Sequence, residues 1–327
     1  MFARNTPRLL LFALVLAGAL SAGAAERPYE EGAKKHSWLS WNRPAEKTPE
    51  AQLARAERFR AAGRQRKAGK AFRALVVTWP GSAEAPAAQL GYAETLDARG
   101  DEEAAYEEYE ALMARFVGGF PYERVLDRQF AIGKEVMGRR KGKFLFFGGF
   151  HAPERAIPIF ESVIKNGPQA AFAPEAQYLI GQAYELSDQL ELAVVAYMTT
   201  QHRYPGSPFA EKASLGRARA LYRLSEYNPN DEEALEQAWA GTVLFLNSFP
   251  KSPDIEVAQV YRDSLLRRRA RVAYDKALFY DRVAHKPAAA LQCYQTFVRA
   301  FPSSEWTSLA RVRIDELNKS TEKKHEE

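Results

Sequence analysis

The sequence predicts an all-α chain: a solenoid of about six helical hairpins with a C-terminal capping helix. Two observations predict it. First, an Ala, an aromatic four residues later and a Pro eight after that recur as Ala68/Phe72/Pro80, Ala156/Phe160/Pro168, Ala193/Tyr197/Pro205 and Ala290/Tyr294/Pro302. Looser copies are Ala105/Tyr109, with Pro121 displaced four residues further on, and Ala238/Pro250, with Thr242 in the aromatic place. Second, the ends of the copies read alike: WPGS at Trp79, FPYE at Phe120, YPGS at Tyr204, FPKS at Phe249 and FPSS at Phe301. A repeating unit of this length, too small to bury its own core, must stack on its neighbours.

The cleanest copy runs from Pro174 to Ser207. Its first helix carries Ile180, Gly181 and Tyr184, and its second carries Ala193 and Tyr197 ahead of Pro205. Gly181 and Ala193 are small enough for two helix axes to approach, and Tyr184 and Tyr197 fill the space between them. Pro205 lacks an N–H and ends the second helix, and Ser207 is placed to cap the next one. This is the spacing of a tetratricopeptide (TPR) repeat. Leu215-Gly216 repeats it in the following first helix.

Residues 1–25 are a different material. Arg4 and Arg8 precede an apolar run from Leu9 to Leu20, and small residues follow through Ala25. This reads as a secretory signal peptide cleaved after Ala24 or Ala25; the alternative, an uncleaved anchor, has a short run to work with. A lipoprotein would need a cysteine at the end of this segment, and the one cysteine is Cys293, read as a small buried side chain on a helix. The formal charge of +5 falls to +3 once Arg4 and Arg8 leave with the leader. That balance argues against nucleic-acid binding.

Residues 26–47 read as an extended lead-in. Trp38 and Trp41 there either tuck it against the first repeat or mark a partner site. The array spans 48–318, opening on Thr48 as cap and Pro49 at the first helical position. Asp101, Glu102 and Glu103 sit at a helix amino end, where the dipole favours acids. An insert at 138–152 reads as a long loop, with Arg139, Arg140, Lys141 and Lys143 ahead of Phe144, Phe146, Phe147 and Phe150. It either contacts a membrane surface or partner chain, or plugs the gap between repeats. About ten extra residues around 225–234 separate the two helices of repeat five. The run Arg267, Arg268, Arg269 and Arg271 reads as a solvated face paired with acids, which makes Arg268→Glu nearly silent. Residues 319–327 read as a disordered charged tail.

No catalytic constellation is visible, and no cofactor or metal site is expected. The five histidines are scattered, and there is no G-x-S-x-G, P-loop or H-E-x-x-H. Function is therefore expected from surface, foremost the groove lined by first helices in repeats one to three, including Tyr92.

The repeat ends AVVAYMTTQHRYPGS and AALQCYQTFVRAFPSS, and the stretch from Ala277 to Leu317 with Phe279-Tyr280 before Ala289-Ala290, resemble the BamD-like outer-membrane assembly lipoproteins. The resemblance covers roughly residues 48–318. It implies a non-catalytic periplasmic scaffold that docks on the periplasmic domains of the outer-membrane insertase and meets unfolded outer-membrane proteins. This chain departs from the pattern in lacking the lipid-bearing cysteine and in having six hairpins instead of five, so location in the periplasm is expected and outer-membrane association is left open. A periplasmic coordinator of cell-wall synthesis, similar to CpoB, is the alternative reading, although the amino-terminal heptads usual there are missing. A lytic-transglycosylase-type muramidase would need a catalytic domain after the solenoid.

Overall fold

The computed structural model describes residues 43–144 and 147–326, with side chains described outside 140–150 and 320–326. The expected leader, most of the lead-in with Trp38 and Trp41, and Phe146 lie outside the described residues. The chain forms six antiparallel helix pairs: α1 (Pro49–Ala61) with α2 (Gln65–Thr78), α3 (Ala85–Asp97) with α4 (Glu102–Arg115), and α5 (Tyr122–Gly138) with α6 (Ile157–Asn166). These are followed by α7 (Ala173–Leu186) with α8 (Leu190–Arg203), α9 (Pro208–Tyr227) with α10 (Glu232–Ser248), and α11 (Ile255–Leu278) with α12 (Pro287–Ala300). The helix α13 (Thr307–Glu326) closes the array. Each helix packs on the next, and first helices also touch one another at α1/α3, α7/α9 and α9/α11, which puts their row on the inside of the curve.

The recurrent repeat end is a pair of linked turns. A residue before proline avoids the helical region, so the helix stops at the aromatic. Trp79, Tyr204, Phe249 and Phe301 all take φ near −130° with ψ of 54–62°. The carbonyl of each accepts the N–H of the Ser three residues on, at 3.1–3.2 Å. That serine's carbonyl accepts in turn from the residue three further on, and the next first helix begins. Gly167-Pro168 makes the same pair of turns with Ala170 in the serine's place. Ser207 does not cap α9: its hydroxyl is buried without a hydrogen-bond partner, and the serine serves through its backbone. At the amino end Thr48 does cap, its Oγ1 accepting from Ala51 N–H at 3.3 Å. Phe120-Pro121 is no repeat end. Helix α4 stops at Arg115, the link passes through Gly118 and Gly119 at positive φ, and Pro121 is the N-cap of α5.

Three other expectations change. The insert pairs as an antiparallel hairpin, β1 (Arg140–Phe144) with β2 (Phe147–His151), in which Phe144 is the register partner of Phe147. Its base is held from both sides: Arg139 pairs with Glu102 and Arg155 with Glu103, so the acids at the start of α4 act as anchors for the insert as well as dipole partners. The extra residues of repeat five lengthen α9 and α10 and leave a connector at 228–231. Helix α13 continues to Glu326, through the stretch read as a disordered tail.

The core is set by small residues facing rings. Ala68, Ala105, Ala156, Ala193, Ala238 and Ala290 have no exposed surface. A Cβ on Gly181 would lie 2.5 Å from the Tyr197 ring, and one on Gly216 would lie 2.6 Å from the same ring. Tyr197 of α8 is thus clasped by α7 and α9. Gly91 takes the Phe72 ring and Gly133 the Phe160 ring in the same manner, each with under 3 Å to spare. In repeat five the roles reverse: Thr242 stands in the ring position, and Leu221 of α9 packs on Gly241 of α10.

Gly181→Ala should therefore destabilise by about 1–3 kcal/mol through overpacking. Gly206→Ala, where an added Cβ meets nothing within 4 Å, should be close to neutral. Urea unfolding followed by circular dichroism distinguishes the two, and equal midpoints would contradict the clasp.

Candidate protein-binding surfaces

The inner face is a ladder of ion pairs between successive first helices. Glu94 of α3 takes Arg60 of α1 at 2.5 Å and Arg124 of α5 at 2.9 Å. Asp97 takes Arg128 of α5 at 2.6 Å, and Lys134 of α5 reaches Glu175 of α7 at 3.0 Å. Glu185 and Asp188, at and just beyond the end of α7, take Arg219 and Arg223 of α9. Exposed rungs such as Arg124 contribute little singly, but the partly buried bidentate ones fix the angle between repeats.

Three rungs share a design. In α8, Tyr197 Oη donates to Glu185 at 2.7 Å, and Arg219 from the next first helix grips that carboxylate at 2.5 and 2.8 Å. In α12, Tyr294 donates to Asp281 at 3.2 Å, and Arg313 of α13 grips it with two contacts of 2.8 Å. Tyr109 stands near Asp97, which Arg128 grips with two contacts of 2.6 Å; burial and then the charge of Asp97 push the Tyr109 phenol up. The acid lies twelve or thirteen residues before the tyrosine each time. Where the ring is Phe72 the same offset holds Arg60, whose guanidinium lies 5.6 Å from the ring centroid. A phenol in the core needs an acceptor; a phenyl ring takes a cation on its face.

The sequence-predicted residues fall into place unevenly. The six alanines and the rings Phe72, Tyr109, Phe160, Tyr197 and Tyr294 are buried, whereas Pro80, Pro205, Pro250 and Pro302 are exposed at the turns. Tyr184 is half-buried, packed beside the core. Tyr92 is not in the inner groove. It is half-buried in the packing of α2 and α3, close to Gly69 and Arg73, and burial raises its phenol pKa. Phe144, Phe147 and Phe150 lie on the hairpin strands. Cys293 is half-buried in a cavity wall.

The arginine run does more than face solvent. Arg268 reaches across to Ser225 at the end of α9, bonding its hydroxyl at 2.9 Å and its backbone carbonyl. Arg269 lies over the Trp239 ring and pairs with Glu236, and Arg271 lies over Trp306. These long-range partners left no trace in the local sequence.

Three recesses follow from this architecture. One of about 490 Å³ lies on the inner side between α3 and α5, walled by Glu94, Asp97, Arg124 and Arg128. One of about 650 Å³ lies between α6 and α8 over α7. One of about 610 Å³ lies between α10 and α12 over α11, with Leu235, Val272, Tyr280 and Phe297 below and the Glu232–Lys276 pair at its edge. Among the described residues no group of three His, Cys, Asp or Glu is placed to hold a metal ion.

The second half of the array carries a family signature. Residues 178–325 match the YfiO family, described as outer membrane lipoprotein. The match runs from α7 through α13 and includes the α10–α12 recess; the first three repeats and the β hairpin lie outside it. The solved structures similar to this chain include TPR proteins. The C-terminal part of a TPR repeat-containing protein from Cytophaga hutchinsonii is 17% identical, with 80% of this chain and 87% of that chain covered and a TM-score of 0.34. A thermophilic TPR protein from Thermus thermophilus is 18% identical, covering 67% and 100%, with a TM-score of 0.28. No curated protein matches the chain.

Two outcomes follow from the rungs. The paired Arg313 holds the Asp281 carboxyl below the usual carboxylate range, with burial opposing and Tyr294 assisting. A depressed folded pKa contributes stability that is present above the ordinary value of about 4 and lost as pH falls. Asp281→Asn should cost about 2 kcal/mol at pH 7, and its gap from the parent should close as pH drops below about 4. Thermal unfolding across pH 3–8 checks this; a gap independent of pH would refute it. Arg268→Glu should not be silent but cost about 1–3 kcal/mol, by stranding the Ser225 carbonyl. An unchanged melting temperature would restore the solvated-face reading.

Proposed function

We propose that this protein is a periplasmic scaffold that binds other proteins during outer-membrane protein assembly, in the manner implied by the BamD-like resemblance. The observation that carries the reading is the YfiO match over the carboxy-terminal repeats. The signal-peptide pattern at residues 1–25 supports export, and no helix among the described residues is long and apolar enough to cross a membrane. The partners proposed are the periplasmic domains of the outer-membrane insertase and unfolded outer-membrane proteins. The surfaces offered to them are the inner recess between α3 and α5 and the β hairpin with its phenylalanines, together with Trp38 and Trp41.

The test is affinity capture of the tagged protein from crosslinked, fractionated cell envelopes. Recovery of the insertase in the outer-membrane fraction is the expected result. Recovery of cell-wall synthases would transfer the protein to the coordinator class, and a soluble pool that captures neither would refute the assembly role.

A further inference from the structure

Arg217 is out of keeping with its surroundings. It follows Gly216 as Tyr92 follows Gly91, and both glycines take the ring of the preceding second helix, Tyr197 and Phe72. Tyr92 stands between α2 and α4, with Arg73, Glu108 and Arg99 as its charged neighbours. By the same register Arg217 rises from α9 between α8 and α10. Its Nε is buried with no hydrogen-bond partner among the described residues, and burial pulls its pKa below the ordinary arginine value. Arg219, Arg268 and Arg313, by contrast, each reach an acceptor on another helix. Arg217 as a whole is only half-buried, so its Nε is a desolvated donor without a partner on a side chain that still reaches solvent.

Beside it, α8 presents an apolar ridge. Leu192, Val195 and Met198 are 46%, 60% and 45% exposed and recur every three residues. At 100° per residue Leu192 faces the α6–α8 recess, Val195 the crest and Met198 the flank toward α9 and α10. Leu192 and Val195 line that recess together with Ile180, Tyr184, Lys165 and Arg203. Neither Lys165 nor Arg203 makes an ion pair with a described residue, and Glu161 is the acid on that wall.

We propose that this outer face is a docking surface for an acidic amphipathic segment of a partner protein, with apolar side chains seated along the α8 ridge and a carboxylate meeting Arg217. The excess of unpaired cations selects an acidic occupant, and ridge-and-recess relief at helical spacing suits an amphipathic helix. A bilayer surface fits less well, because the ridge of α8 and the recess beside it give a relief that seats one helix and not a flat sheet of headgroups.

The proposal rests on the protein-binding scaffold reading and is tested separately from it. Benzoylphenylalanine is placed at Val195 in the full chain in intact cells, with the exposed Val77 of α2 as control site, and the crosslinked peptide is sequenced by mass spectrometry. The expected adduct is specific to Val195 and falls on a segment with Asp or Glu among apolar residues spaced three and four apart. Arg217→Glu should lower its yield about tenfold or more, and Arg217→Lys should retain part of it. Arg217→Leu should lose the adduct while raising the unfolding midpoint, since it removes an unpartnered donor; a structural arginine would do the reverse. A lipid adduct, a segment without acids, no protein adduct at Val195, or a yield indifferent to Arg217→Glu would each overturn the assignment. Capture of the insertase without such an adduct would remove this surface and leave the scaffold reading standing.

Discussion

The array depends on one steric fit: rings from second helices, at Phe72, Phe160 and Tyr197, seated on glycines of the first helices beside them. Tyr197 shows it most fully, with Gly181 of its own hairpin and Gly216 of the next at distances that no Cβ could occupy. Because the ring belongs to one helix and its seats to two others, the same contact closes a hairpin and joins it to its neighbour. Interiors packed at crystal-like density have no spare volume with which to absorb an error at such a point. Stability in a stacked array is then a sum over hairpins and the contacts between neighbours, of which these seats are part.

The polar chemistry follows from the choice of ring. A phenol delivered to that seat must find an acceptor, and Tyr197 donates to Glu185 and Tyr294 to Asp281, while Asp97 places its charge near Tyr109. A carboxylate so placed needs a cation, which comes from the next first helix as Arg219, Arg313 or Arg128. The inner face is therefore largely occupied with holding the repeats at a fixed angle, and many of its charges are already neutralised by one another. Free capacity for recognition lies where the ladder leaves something unspent: the recesses between helices, the inserted hairpin, and cations such as Arg217 that no neighbour satisfies. A rigid frame with such sites along it suits a protein that positions others.

Much of this was legible in advance, for local reasons. The Ala-x3-aromatic spacing and the proline after each aromatic located α2, α6, α8 and α12 together with their turns. The residue before a proline is excluded from the helical region whatever surrounds it. The same logic misled at Phe120-Pro121, where the motif recurs but the chain had already turned at Gly118 and Gly119. The extra residues of repeat five looked like a loop because Asn and Pro at 228–229 favour one, yet helix packing extended α9 and α10 up to both sides of them. Tyr92 looked available because it was read as part of a first helix facing a groove; the register of Gly91 instead turned it toward α2.

The sequence by itself determined the repeat type, the register of the hairpins and the form of their ends, because those are decided by side-chain size and backbone dihedrals within a few residues. The repeat-scaffold class was legible in the same way, as a pattern of segments. Only the tertiary structure decided which charges meet, since the deciding pairs are 31 to 34 residues apart in sequence. Their distances are set by the angle at which one hairpin stacks on the next. It also decided that Arg268 serves a backbone carbonyl, that the insert pairs as a hairpin, and that Arg217 is left without a partner. Those outcomes depend on where a neighbouring helix happens to place its atoms, and no local spacing encodes that.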